Sequence, residues 1–477
     1  MNITGLLFLF CFLPFSLVIY YIADKKAKEY VLLAISLCFY SLCSLRYLVL
    51  FILTMIVNIV IGRSISLADR NYLKRLLLII GIAINAGILI NYKYTNFIIG
   101  TFHSLSGENI PLYDTLLPMG ISFFTFKAIS YIADIYCGRA KLSANPVHDA
   151  LYLSIFTQIQ SGPLSRYNDL VFPGEYTGVR NARFALFSDG VFRFLIGFNK
   201  KILIADILSK ITTEVFTTPV ENYSMVYAWF GSICYSLQLF FDFAGYSDMA
   251  IGLSEMFGYK CNENFNFPYM TESVSKFWRR WHISLSEWFR DYVYIPLGGS
   301  RNKNRLLVYR NLFVVWLLTG IWHGASWNFV FWGMGYFVMI CFERITKYPE
   351  KFKHKISKIL YRVFSLIFIN CQWIMFRSDS FVDGCRFIKK LFVMDNIGIS
   401  IADYRAWFLF KDNLVFILAA VLLSFPVVKA IGKKLEGHPL LSGMYEVLIN
   451  VIVLALFICA LTFVVAEKNN PFTYANF

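Results

Sequence analysis

FWRRWHISLSEWFRDYVYIPLGGSR, residues 277–301, and LTGIWHGASWNFVFWG, residues 318–333, carry most of what this chain says about its fold. The interval they bound, Trp278 to Trp332, holds seven of the ten tryptophans and two of the six histidines. An ionisable histidine inside apolar sequence is costly in a membrane, so in so apolar a chain it marks a functional site by default. The block is therefore the candidate active site.

The surroundings are those of a membrane protein. Of 477 residues, 57% are hydrophobic and 18% aromatic, only 16% are charged, and the mean hydropathy is +0.56; ordinary soluble domains carry about 25% charged residues. The ten cysteines stand mostly alone in apolar runs without a CxxC pair, so neither a disulfide framework nor a zinc knuckle is indicated. A net charge of +15 raises the question of nucleic acid, but the Lys and Arg residues gather in short loops between apolar runs. That distribution sets membrane topology, and nucleic-acid binding is not expected.

Apolar runs long enough to cross lie near 5–23, 30–45, 46–62, 76–92, 117–136, 184–208, 225–243, 306–322, 326–343, 357–376, 412–430 and 444–466. The first is too long for a cleaved signal core and stays on as a helix. With the amino terminus outside, the Lys- and Arg-rich loops alternate to the cytoplasm as the positive-inside rule asks. The expected fold is an all-α polytopic membrane protein with eleven or twelve crossings. It forms one domain, 1–477: amino-terminal helices over 1–136, a core over 137–343 containing the motif block 241–333, and carboxy-terminal helices over 344–477.

Two regions break the pattern of simple crossings. LYLSIFTQIQSGPLSRY, residues 151–167, is short, carries Gln158 and Gln160, and breaks at Gly162-Pro163. It reads as re-entrant, and irregular backbone at membrane depth must be buried in protein or line a wet cavity. The other runs from Phe241 to Arg310; its residues 271–310 hold eight Lys or Arg against three acids, which assigns them to the cytoplasmic face. Helical spacing puts Trp278, Trp281, Leu285, Trp288 and Tyr292 on one stripe, predicting one interfacial or re-entrant amphipathic helix that ends at Pro296 and Gly298-Gly299. Between Phe376 and Lys411 a polar stretch predicts an extracytoplasmic loop with a short helix.

Within the block, His323 lies between Trp322 and Gly324, with Trp327 four residues on. A neutral imidazole there can take a proton from a hydroxyl. His282 shares its expected helix with Trp278, Leu285 and Phe289 and could donate to a developing oxyanion. Each histidine alone reads first as a structural side chain; two in one tryptophan-rich block are less easily dismissed. Two histidines with Asp242 and Asp248 make no metal site. Arg279, Arg280, Arg301, Lys303 and Arg305 could hold the phosphates of an activated donor, guanidinium forks suiting phosphate oxygens; alternatively they face anionic lipid.

The order and spacing of FDFAGYSDMAIG at 241, FWRRWHISLSEWFRDYVYIPLGGSR at 277 and LTGIWHGASWNFVFWG at 318 resemble the membrane-bound O-acyltransferase family, in particular its bacterial alginate O-acetyltransferase branch. LPMGISFFTFKAISYIADIYCG at 117, SGPLSRY at 161, WIMFRSDSF at 373 and the terminal NPFTYANF extend the similarity over nearly the whole chain. The resemblance implies helices ringed around a thin centre where a cytoplasmic donor tunnel meets an outward acceptor funnel. It makes His323 the catalytic histidine and His282 the second polar position. The donor is then a thioester, acetyl-coenzyme A, taken as a substrate with no bound cofactor. It enters past Arg279, Arg280, Arg301, Trp278 and Trp281. His282 or Asn328 would steady the tetrahedral intermediate, with Trp322, Trp327, Asp242 and Asp248 in support. The implied setting is a multi-pass protein of the bacterial cytoplasmic membrane, in contact with lipid, an extracytoplasmic acetyltransferase or relay protein, and a polysaccharide acceptor. A teichoic-acid D-alanyl transferase fed by a carrier protein, and a lipid or polysaccharide transporter, are the readings that compete with it.

Overall fold

The computed structural model describes all residues except 109, 114–115, 170–179, 302–303, 394–400 and 467–477; Lys303 and the terminal NPFTYANF therefore lie outside the described residues. The described chain is helical, and it divides into two compact units, Met1–Phe194 with Ser247–Asn262, and Leu195–Tyr246 with Glu263–Phe477. The long helix Met225–Met256 belongs to the second unit up to Tyr246 and to the first beyond it.

In the first unit the helix Ile121–Tyr136 is buried along nearly its whole length between Leu48–Leu67 and Asn71–Leu89. Close approach is made through Gly62, where a Cβ would meet the Tyr131 ring at 2.5 Å. Small residues at such contacts let helix backbones come together where lipid offers no hydrophobic drive. The backbone after the helix Pro146–Ser154 is irregular, and from Ile155 to Ser165 every residue but Gln160 is buried. The irregular backbone expected within 151–167 is present and is enclosed in protein. Gly120, at φ +68°, gives it room: a Cβ there would lie 2.1 Å from the Ile159 carbonyl oxygen.

In the second unit the helices Arg305–His323 and Trp327–Thr346 form a tight hairpin. Glycines again set the spacing, since a Cβ on Gly320 would come within 2.5 Å of the Phe329 carbonyl oxygen and one on Gly333 within 2.5 Å of that of Trp316. Lys355–Arg377 packs against the same hairpin, and the short helix expected after Phe376 is Phe381–Lys390.

Among the described residues six helical stretches are long and apolar enough to cross a bilayer, seven if Ile401–Asp412 and Leu414–Leu423, bent by 74°, make one span. That is fewer than the eleven or twelve runs in the sequence, for two reasons. Lys28–Leu67 is one continuous 40-residue stretch, although the turn Leu45–Tyr47 divides it into the two helices expected at 30–45 and 46–62. Other runs fall on helices that are short, such as Ile121–Tyr136, or that carry charge inward, such as Met225–Met256 with Asp242 and Asp248. The outer helices expose apolar side chains all along, Phe15, Leu53, Val447 and Val451 among them, a surface suited to lipid.

Candidate active site

His323 is the last residue of Arg305–His323, almost wholly buried. Three rings meet its imidazole edge to face: Trp332 at 4.8 Å, Trp322 at 5.0 Å and Phe376 at 5.4 Å between centroids. Gly324 follows because nothing larger fits, a Cβ there falling 2.1 Å from the Phe329 ring.

His282 arrives from a segment built differently from the expected amphipathic helix. The stripe counted over 278–292 is broken: Val274–Trp278 ends, the chain turns through His282 at φ +45°, and Ile283–Phe289 begins. Left-handed backbone is uncommon outside glycine and strained, and it is found where surroundings over-determine it, often at active sites. Here the surroundings are Asn264. Its carbonyl oxygen accepts the Ile283 N–H at 3.0 Å, and its side-chain oxygen accepts from the Ser284 N–H at 3.3 Å, the Ser284 hydroxyl at 2.9 Å and His282 Nδ1 at 3.1 Å. Because a backbone N–H can only donate, the atom it meets is Oδ1, so Nδ1 of His282 carries the proton and Nε2 is the acceptor nitrogen. The ring is completely buried, a setting that favours neutral imidazole over imidazolium. The oxyanion-donating role expected of His282 is therefore reversed: in this tautomer Nε2 has no proton to give.

The two histidines share Trp322, whose ring lies 6.2 Å from His282 and 5.0 Å from His323. The segment that carries His282 packs along Arg305–His323, Trp278 meeting Trp316 at 4.9 Å.

A cavity of about 410 Å³ lies along this segment, lined by Trp278, Arg279, Ser286, Glu287, Arg290 and Thr319, together with Trp316 and neighbouring apolar side chains. Of the expected donor residues Trp278 and Arg279 face it. Trp281 does not: it is core, stacked on Phe277 at 5.5 Å and close to Trp373 at 4.8 Å. Arg280 and Arg301 are not in the lining either, while Arg290, unforeseen, is, paired with Asp291 at 2.7 Å. Asn328 does not offer its amide to a reacting group, since both its N–H bonds are directed to the Ser378 carbonyl at 2.8 Å and the Met375 carbonyl at 3.4 Å. It ties the hairpin to the end of Lys355–Arg377 instead. Trp327 is half exposed and packs on Phe331. Asp242 is buried against Lys201 at 2.6 Å, which also binds Asp206; Asp248, in the first unit, pairs with Arg193 at 2.8 Å. Both carboxylates serve as ion pairs holding helices together.

Sequence reasoning missed Asn264 and Glu343. The Glu343 carboxylate accepts the Val274 N–H at 2.7 Å, the Ser275 N–H at 2.8 Å and the Tyr361 hydroxyl at 3.1 Å. It thereby caps the short helix that delivers Trp278.

His323 and the oriented His282 are thus both buried among aromatic rings, with Trp322 near each. The family model of the membrane-bound O-acyltransferases matches residues 143–378, a span that holds both histidines. This chain belongs to the membrane-bound O-acyltransferase family and is an O-acyltransferase of the multi-pass membrane type. It is 33% identical to a protein named probable alginate O-acetylase from Pseudomonas putida, over 98% of this chain and 99% of the relative. It is 31% identical to the peptidoglycan O-acetyltransferase of Helicobacter pylori, over 99% and 96%. The teichoic acid D-alanyltransferase of Bacillus subtilis is 32% identical over a shorter stretch, 51% of this chain and 63% of the relative. Membership of an acyltransferase family removes the transporter reading.

Proposed function

We propose that this protein moves an acetyl group from acetyl-coenzyme A at the cytoplasmic face of a bacterial cell membrane to a hydroxyl outside, for O-acetylation of a cell-wall or extracellular polysaccharide. A partner protein beyond the membrane passes the group on. The observation that carries the reading is the buried His323–Trp322–His282 arrangement. It is supported by the end-to-end similarity to O-acetylating relatives, where similarity to the D-alanyltransferase covers about half the chain.

In this reading the thioester arm reaches inward along Trp278 and Arg279 from the cavity. His323 takes the proton of the acceptor hydroxyl as its oxygen bonds to the thioester carbonyl carbon, and the carbonyl electron pair moves to oxygen. The intermediate then breaks its C–S bond, the pair leaving on sulfur, and His323 returns the proton there to give a thiol and an ester. His282, neutral and fixed by Asn264, accepts through Nε2 a hydrogen bond from a second hydroxyl of the acceptor and so orients it, while the proton of the reacting hydroxyl goes to His323. The packed indoles exclude the water that would hydrolyse the thioester.

The test supplies the purified, reconstituted protein with labelled acetyl-coenzyme A or with acyl-loaded carrier protein. Transfer from acetyl-coenzyme A supports the proposal; transfer from the carrier alone overturns it in favour of the D-alanyl branch.

A further inference from the structure

An oxyanion forms at the thioester carbonyl, and preorganised donors aimed at such charge are usually the largest single contribution to acyl transfer. The two donors expected from the sequence are not available for it: the Asn328 amide is committed to two carbonyls, and His282 presents an acceptor.

The indole N–H of Trp332 is a donor of a different kind. Trp332 is completely buried, its ring at 4.8 Å is the nearest of the three that cage His323, and its Nε1 meets no hydrogen-bond acceptor among the described residues. A buried N–H without an acceptor costs about 1–3 kcal/mol and calls for an explanation; the indole N–H groups of Trp278 and Trp281 also meet no acceptor among the described residues, and Trp332 is set apart from them by its ring packing on His323. Flexibility cannot bring the indole to a distant partner, because Trp278, Tyr336, Trp373 and Phe376 pack it at 5.7, 5.2, 6.1 and 5.3 Å. Trp278, the first of these, lines the cavity, so the indoles run without interruption from cavity wall to catalytic histidine.

We propose that Trp332 is a catalytic residue whose indole N–H donates a hydrogen bond to the thioester carbonyl oxygen and holds the oxyanion that forms as His323 takes the acceptor's proton. The assignment rests on the acyl-transfer reading above, though not on which thioester is the donor. It gives Trp332 two roles, wall of the cage and electrophilic donor, and only the second depends on nitrogen.

Replacing the residue with 3-benzothienylalanine, by nonsense suppression in the full chain, keeps the bicyclic shape and exchanges N–H for sulfur. Transfer is measured in proteoliposomes with whichever thioester, acetyl-coenzyme A or loaded carrier protein, the wild type uses. The proposal expects kcat to fall by about 100- to 1,000-fold with KM within about twofold, the range seen when one oxyanion donor is removed. Trp332→Phe, which also lacks the N–H, is measured beside it and falls at least as far. A benzothienyl variant, or a folded Trp332→Phe, within about threefold of wild-type kcat overturns the proposal. His323→Ala in the same preparation separates the two claims: if it is inactive while the Trp332 variants are not, the site stands and only the donor assignment fails.

Discussion

At the scale of single residues the decisive contact is Asn264 to His282. One amide oxygen takes three hydrogen bonds and so fixes the turn, the ring and the tautomer together. Asn264→Ala removes a buried acceptor from the imidazole, a loss of about 1–3 kcal/mol, or roughly 10- to 100-fold in rate if it is felt in the transition state. The expected result is a lower kcat that titrates differently from wild type, because the His282 proton is then free to move between ring nitrogens; a pH–rate profile unchanged in shape and height would contradict it. Both histidines were legible in the sequence, since an ionisable ring in an apolar block is conspicuous whatever its fold. Asn264 was not. It lies 18 residues before His282 in NENFNF, a polar stretch with no periodicity, and nothing but the folded turn brings it to the ring. Asn328 misled for the opposite reason, its position within the motif suggesting a role that its bonds to Ser378 and Met375 preclude.

At the scale of elements the site depends on how closely helices approach and how short ones are anchored. Gly333→Val would drive a side chain into the Trp316 carbonyl, which a Cβ alone would meet at 2.5 Å. Backbone cannot yield as a flexible side chain can, so the hairpin must open and His323 move. We expect a strongly lowered unfolding temperature in detergent, whereas Gly87→Ala, at a glycine where a Cβ would find no atom within 4 Å, is neutral; equal stability of the two variants would show that the close approach does not matter. Glu343→Ala uncaps Val274–Trp278 and leaves one buried and one part-buried N–H group without their acceptor. A loss of about 1–3 kcal/mol is expected, measured as earlier thermal unfolding and partly rescued by Glu343→Gln, which keeps one acceptor oxygen. The apolar stripe at 278–292 correctly announced helix, and Gly298 and Gly299, at φ +108° and +57°, end it where expected. What periodicity could not show is the break at His282, because a single left-handed residue between two short helices leaves the hydrophobic spacing nearly intact.

At the scale of the whole molecule, composition and apolar runs were enough for an all-helical, multi-pass membrane protein, and the motif order was enough for its family. The number of crossings was harder to read. Hydropathy counts apolar residues and cannot tell whether an apolar run faces lipid, as Pro439–Ala466 largely does, or is enclosed, as Ile121–Tyr136 is. Charged residues within the helices were likewise ambiguous in sequence: Asp242 and Asp248 stand in the motif block, but their partners Lys201 and Arg193 are 41 and 55 residues away. Acyl transfer by this molecule stands or falls with His323 as its base. The most direct test is the rate at which purified His323→Ala, shown to elute and melt like the wild type, moves labelled acetyl from acetyl-coenzyme A in proteoliposomes. General base catalysis is worth about 100- to 10,000-fold, and a loss in that range is expected; a folded His323→Ala protein that transfers acetyl within about tenfold of the wild-type rate, less than the smallest such contribution, would contradict it.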